Sequence, residues 1–210
     1  MLTRRGDEYA IRLHGLELMN SRMHHSEEEL ARLGCAGLAD KAGARVLIGG
    51  LGMGFTTRAA LSAVPADARV EIAELLPEVV AWNRGPLADL AARPLEDPRV
   101  TAVVTDVTRM IDEADGEYDA ILLDVDNGPD AFTAPANARL YGAEGLKRAR
   151  RALVPGGMLG VWSVGDDPAF TGRLKGVGFH VTLHHVTARK ASGPPHVLWM
   201  ARAPRSAATR

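Results

Sequence analysis

The chain has 210 residues, 46% apolar and 24% charged, with a formal net charge of −1; that length suits one generous domain, or one domain with a small appendage. So neutral a chain has no electrostatic footprint for nucleic acid, and no apolar run approaches the length of a membrane span. The opening M-L-T-R-R-G-D-E lacks the apolar stretch of a secretion signal, so a cytoplasmic protein is expected.

Residues 8–20 read as a hairpin, with Tyr9, Ile11 and Leu13 alternating with polar neighbours and His14-Gly15 at the turn. Ser26-Glu27-Glu28-Glu29 is a capping box that predicts a helix to about Ala39. The single cysteine, Cys35, excludes an internal disulfide and falls in this helix as a packing residue. Residues 1–40 are taken as a hairpin and helix appendage, 41–204 as the main α/β domain and 205–210 as a frayed tail.

From Ala44 the pattern alternates. Strands are expected at 45–49, 69–73, 100–105, 118–124 and 158–164, with helices between them, which argues for βαβ units and a mostly parallel sheet covered on both faces. Phe179 to Val186 and His196 to Ala201, separated by A-R-K-A-S-G-P-P, should pair antiparallel at the sheet edge. The basic run Lys147, Arg148, Arg150, Arg151 reads as the solvated face of a helix.

The organising stretch is A-R-V-L-I-G-G-L-G-M-G, Ala44 to Gly54. The apolar run Val46 to Ile48 suits a strand buried on both faces. It runs into a glycine loop, and Thr56 or Thr57 can cap the helix that follows. Gly50, Gly52 and Gly54 make G-x-G-x-G, whereas a dinucleotide fingerprint needs glycine where Phe55 stands. No P-loop motif follows. The loop resembles that of class I S-adenosylmethionine (SAM) enzymes, which implies a Rossmann-like SAM methyltransferase-type sheet closed by an antiparallel edge strand.

Ligands of open parallel sheets bind outside the carboxyl ends of the strands. Three acids end three consecutive strands there: Glu74, Asp106 and Asp124, with Asp126 close behind. Glu74 can accept from both ribose hydroxyls, with Leu75 beside it. Asp106 can accept from an adenine amino group, with the Val107 amide facing a ring nitrogen, or simply cap the helix at 107–113. The set expected to bind the nucleoside is Gly50, Gly52, Gly54, Glu74, Leu75, Asp106, Val107 and Asp124. Among the rest, His24-His25 read first as exposed loop histidines and second as a source of a base near the acceptor, Ser163 and Ser192 lack a nucleophile elbow, and Trp82, Trp162 and Trp199 read as packing, Trp162 also as a flank of the acceptor. Residues 128–138 read as a lid. His, Asp and Glu do not recur at metal-ligand spacing, so no metal is expected.

The run from the glycine loop through E-L-L-P-E-V-V, D-P-R-V, V-V-T-D-V, Y-D-A-I-L-L-D and L-V-P-G-G resembles the nucleotide half of the spermidine synthase (polyamine aminopropyltransferase) family, over about residues 8–165. The resemblance implies that Glu74 holds ribose, Asp106 reads adenine and Asp124 helps deprotonate an attacking amine. It also implies a homodimer. Departures fall on the acceptor side and the loop. The family's G-G-G-D-G-G has its Asp where Gly52 stands here, its second Asp of D-x-x-D-P falls on Asn127, its hairpin glutamine on Leu18 and its polyamine-side tyrosine on Glu27. A carboxylate at position 52 would attract the ammonium of decarboxylated SAM and repel the carboxylate of SAM. Glycine does neither, which tilts the donor towards SAM. The sequence therefore puts methyl transfer from SAM to a small acceptor, an amine among the candidates, slightly ahead of aminopropyl transfer from decarboxylated SAM to a diamine or polyamine. Asp124 is the first candidate base and Asp126 the second, while Asp130 and Glu27 are candidates for a cationic side of the pocket. A non-catalytic nucleoside-binding protein is the third reading.

Overall fold

The computed structural model describes residues 1–13, 15–125 and 139–205. Strands β1 (Leu2–Arg5), β2 (Glu8–Leu13) and β3 (Leu16–Asn20) form a separate antiparallel sheet in the order β1-β2-β3. The expected hairpin is thus two strands, β2 and β3, of a three-stranded sheet. Its first strand, L-T-R-R, has too little apolar alternation to be seen in sequence.

Helix α1 (His25–Gly34) leads to β4 (Arg45–Gly49), α2 (Phe55–Ala63), β5 (Arg69–Glu74), α3 (Pro77–Arg84), β6 (Val100–Val104), α4 (Val107–Glu113) and β7 (Tyr118–Leu123). After these come α5 (Ala143–Ala152), β8 (Leu153–Ser163), α6 (Pro168–Gly176), β9 (His180–Arg189) and β10 (Ser192–Arg202). The second sheet has seven strands in the order β6-β5-β4-β7-β8-β10-β9. Pairs from β6 through β8 are parallel, and β10 is antiparallel to both β8 and β9. The expected antiparallel pair does lie at the edge, with the reversed strand as its inner member. Strand order reverses between β4 and β7, so this is where the sheet opens a crevice.

The central strands are apolar because both faces are covered: all six residues of β7 are buried, as are the last four of β4. Residues alternate between two core layers, Leu47, Ile121, Leu123 and Trp199 on one face and Val46, Ile48, Leu122 and Leu198 on the other. Trp199 is fully buried, edge-on to Phe170, and its indole N–H donates to Thr171 Oγ1 at 2.8 Å. Cys35 is buried as expected, and burial pushes its thiol up to about 12.

Several boundaries differ from the expected ones. Helix α1 stops at Gly34, not Ala39, with the Cys35 N–H closing on Ala31 O at 2.9 Å. L-V-P-G-G opens β8 instead of preceding it, and the Pro155-Gly156-Gly157 stretch is accommodated as a bulge between the Tyr118↔Leu153 and Ala120↔Met158 pairings. Most of A-R-K-A-S-G-P-P is strand, turned at Lys190 and Ala191, the latter with φ +67°. The basic run on α5 is only partly a solvated face: the Arg150 guanidinium donates to Val177 O at 2.6 Å and Arg151 to Asp112 O at 2.6 Å, tying α5 to its neighbours. Among the described residues no helix is long and apolar enough to cross a membrane.

Candidate active site at the carboxyl edge of the sheet

Glycine-loop geometry follows from close approach of main chains. Gly50 (φ +89°) has no room for a Cβ, which would lie 2.3 Å from Asp124 O, and its N–H donates to Ala73 O at 2.9 Å. Gly54 (φ +86°) is the N-cap residue of α2. Neither threonine caps that helix. Thr57 is buried, and Thr56 donates its hydroxyl proton to Asp124 Oδ2 at 2.6 Å. The glycine loop and the end of β7 are therefore joined through a side chain that would otherwise serve only the helix.

Glu74 is buried and accepts two main-chain hydrogen bonds, Leu51 N–H on Oε2 and Leu76 N–H on Oε1, both at 2.9 Å. One carboxylate thus fixes the loop after β4 and the loop after β5, and each oxygen keeps a lone pair for a diol. Asp106 is the N-cap of α4, its Oδ1 accepting from Thr108 N–H and Oγ1–H at 2.8 Å each. Its Oδ2 accepts from no described residue, so capping and ligand reading are compatible. Leu75 is exposed beside Glu74, and Val104, paired with Glu74 across β5/β6, is exposed too. With Val107 buried behind them, these apolar groups form a wall suited to a flat ring.

Gly52 (φ +53°) sits under the small sheet. A Cβ there would approach Met19 Cε to 2.8 Å and Sδ to 3.2 Å, so a thioether lies where a side chain at position 52 would project. Asn83, buried, donates to Gly52 O at 2.8 Å and holds the loop from beneath.

The edge around Asp124 is built differently. Asp124 follows Leu123, whose register partners are Gly49 on β4 and Val161 on β8. Burial pushes its carboxyl up to about 6, against the Thr56 hydrogen bond, which favours the ionised form. Glu27, on the first turn of α1, is 7% exposed. Burial raises its pKa well above the ordinary value, and the charges of Asp124 and then Glu28 raise it further. The expected capping box does not form: α1 begins one residue early, at His25, and no side chain caps it. Glu29 pairs instead with Arg32 at 2.7 Å. Ser26, buried, receives the Trp162 indole N–H at 3.0 Å and lies 2.7 Å from His196 Nδ1.

His24 and His25 are not exposed loop histidines. His24 stacks on Phe55 with ring centroids 4.0 Å apart, and Glu28, 3.1 Å from its Nδ1, also takes the Arg58 guanidinium. Trp82 packs in the core, and Ser163 is buried, accepting from Gly165 N–H at 3.3 Å. Asp126, Asn127, Asp130 and the expected lid at 128–138 lie outside the described residues. Among the described residues no three acids, histidines or cysteines gather as a metal site.

The structure places the candidate loop and the strand-end acids Glu74, Asp106 and Asp124 along the carboxyl edge of the sheet. Sequence reasoning missed Thr56 as a partner of Asp124, Met19 against Gly52, and His196. A signal for His196 existed: β10 is reversed, so its early residues reach the edge where the parallel strands end.

Seven strands with the parallel order reversed at β4/β7, a glycine loop at the switch point and acids at successive strand ends define the class I SAM-dependent methyltransferase-type fold. Within that fold the chain is similar to polyamine aminopropyltransferases in sequence and to spermidine synthases in structure. No family model matches. In an alignment of 196 positions that covers 89% of its length, the chain is 30% identical to the polyamine aminopropyltransferase of Mycobacterium tuberculosis (strain CDC 1551 / Oshkosh). It spans about a third of the length of the curated relatives it matches, 36% in each case. The spermidine synthase of Thermotoga maritima superposes with a TM-score of 0.71 at 19% identity, covering 92% of this chain and 65% of that one. A spermidine synthase in complex with the transition-state analogue AdoDATO gives 0.70 at 17% identity, covering 96% and 71%.

Proposed function

We propose that this chain is a transferase that moves a group from an S-adenosyl sulfonium donor to an amine, with aminopropyl transfer from decarboxylated SAM to a diamine or polyamine as the first reading. The sequence alone put methyl transfer slightly ahead; the name borne by the relatives reverses that order. The observation that carries the reading is Asp124, fixed by Thr56 at 2.6 Å at the end of β7 with its carboxyl held at about 6. An amine arrives as an ammonium, so a carboxylate must first attract it and then take its proton.

Glu74 would hold the ribose diol and Asp106 Oδ2 the adenine amino group, with the apolar wall at Leu75 along the ring. The glycine loop would bear the amino-acid end of the donor. The amine nitrogen, freed of its proton by Asp124, attacks the carbon on sulfur. The new C–N bond takes the nitrogen lone pair, and the C–S bond breaks with its electrons passing to sulfur, leaving a neutral thioether. Much of the rate enhancement comes from holding nitrogen, carbon and sulfur in line.

The second reading, methyl transfer from SAM, is favoured by one observation: Met19, not a carboxylate, meets the space at Gly52. Asp124 speaks against a protein that binds a nucleoside without turnover, since nucleoside binding alone does not require a carboxyl so costly to ionise.

Calorimetric titration with SAM and with decarboxylated SAM, followed by a product assay with a diamine, tests the proposal. Tighter binding of decarboxylated SAM and an aminopropylated diamine are expected. Binding of SAM at least about tenfold tighter, a difference of about 1.4 kcal/mol, without aminopropyl product would move the reading to methyl transfer. Binding of neither would remove the donor site.

A further inference from the structure

Ser26 is the residue whose role departs furthest from its sequence signal. Its hydroxyl leaves the helix end uncapped and meets two residues far along the chain, Trp162 on β8 and His196 on β10. An indole N–H can only donate, so it occupies one lone pair of the serine oxygen. Burial lowers the pKa of His196 and favours the neutral ring, whose Nδ1 shares a hydrogen bond with the serine hydroxyl across 2.7 Å, the donor set by the ring's tautomer. Leu198 is the register partner of Trp162, so His196, two residues earlier on β10, shares its face of the sheet. The two rings meet edge to face at 4.6 Å. The first turn of α1 is thus fastened to the carboxyl edge of β8 and to the reversed strand beside it.

What this fastening presents is the next residue. Glu27 is more than nine-tenths buried on the first turn of α1. Asp124 and Glu28 are the charges that bear on it, and Glu28 is already taken by Arg58 and His24. Asp124 follows Leu123, and Leu123 pairs with Val161, so Asp124 lies beside Trp162 in the sheet. Pinning Ser26 on Trp162 sets Glu27 beside Asp124. A buried carboxylate within reach of another is costly to ionise unless a cation sits with the pair. No third ligand among the described residues completes a metal site there.

We propose that the Ser26–His196–Trp162 junction is a positioning device that holds Glu27 against Asp124, and that the two carboxylates form a receptor for one alkylammonium group of the acceptor. Glu27 is then the specificity residue for a cationic acceptor. The inference deepens the proposed function and rests on its placement of Asp124 on the acceptor side.

The test is direct binding of 1,4-diaminobutane, with 1,4-butanediol as the uncharged control, by calorimetry at pH 7.5. The full chain is compared with Glu27→Gln, Ser26→Ala, Ser26→Thr, His196→Phe and His196→Asn. Wild type should bind the diamine and ignore the diol, and Glu27→Gln should weaken diamine binding about thirtyfold or more, as for a buried charge pair that loses one partner. Ser26→Ala and His196→Phe should weaken it about tenfold, and Ser26→Thr and His196→Asn, which keep a hydroxyl and an acceptor in place, should restore most of the loss. Diamine binding unchanged in Glu27→Gln overturns the inference, whatever the donor titrations show. Equal loss in the alanine and threonine variants of Ser26 overturns the positioning role. Diamine binding that depends on Glu27 in a protein that takes neither SAM nor decarboxylated SAM upholds the receptor and sinks the transferase reading instead.

Discussion

The two halves of the ligand edge are held by opposite means. On the donor side the polar groups are satisfied by nearby main chain: Glu74 takes the N–H groups of Leu51 and Leu76, and Asp106 takes that of Thr108. On the proposed acceptor side the bonds span long stretches of sequence, from Ser26 to Trp162 and His196 and from Thr56 to Asp124, and they leave Glu27 buried within reach of the Asp124 charge. The donor side should therefore hold stability and ligand affinity in the same groups. The acceptor side should set them against each other, because a carboxylate kept out of water for chemistry costs folding energy.

The largest test of that contrast is Asp124→Asn. The amide oxygen can still accept from Thr56, so the local geometry survives, but the proposed base is gone. Transfer should fall about 10²–10⁴-fold, the range for a lost general base, while the folded protein becomes more stable. The sign follows from the raised carboxyl. Between the ordinary aspartate value and about 6, the folded protein keeps a proton that the unfolded chain has lost, so wild-type stability falls as pH rises through that window. Above it the cost of ionising Asp124 amounts to about 2–3 kcal/mol, which the asparagine variant avoids. Glu27, also raised, contributes with the same sign. Melting curves at pH 5 and pH 8 should show the variant's advantage growing with pH and fullest at pH 8, and wild-type transfer should rise with pH through about 6. A variant that is less stable at pH 8 would end the contrast between the two halves.

Glu74→Ala is the matching test on the donor side, and here both properties should fall together. Two main-chain N–H groups lose their acceptor, so stability should drop by about 2–4 kcal/mol, and donor affinity at least about tenfold. Stability measured by denaturant titration and affinity by calorimetry should move in the same direction. Loss of affinity at full stability would mean that the two loops hold without Glu74.

How far the sequence was legible follows the same division. The glycine loop, the strand-end acids and the alternating elements are local signals, and the structure assembles Gly50, Glu74, Asp106 and Asp124 at one edge as their spacing implies. Ser26 shows the limit. S-E-E-E reads as a capping box because local hydrogen bonding is all a short window can report. The hydroxyl is won by Trp162 and His196, which reach it only once seven strands are in order. Thr56 is a milder case, since a cap and a bond to Asp124 demand the same residue type. Strand β1 was missed because its exposed arginines hide the alternation.

Gly52→Asp sharpens the comparison at the loop itself. An aspartate tolerates positive φ better than most residues, and its Cβ meets only the mobile end of Met19. The new carboxylate should shift the ratio of affinities towards decarboxylated SAM and away from SAM by about tenfold, or about 1.4 kcal/mol. Paired titrations with the two donors read this ratio directly, and an unchanged ratio would show that position 52 does not face the donor's amino-acid end.

The smallest effect separates two roles in one side chain. Asp106 caps α4 through Oδ1, and its Oδ2 is the atom proposed to read an adenine amino group. Asparagine caps a helix about as well as aspartate, so Asp106→Asn should keep stability within about 0.5–1 kcal/mol, the remainder being the lost charge at the helix end. The same change replaces an acceptor by an N–H₂ donor facing another amino group, so donor affinity should fall several-fold. Asp106→Ala should lose the cap as well, at about 1 kcal/mol. If asparagine leaves both stability and donor affinity unchanged while alanine lowers stability alone, Asp106 is a helix cap and the adenine must be read by main chain near Val107. If asparagine lowers affinity at full stability, one carboxylate serves the fold with one oxygen and the ligand with the other.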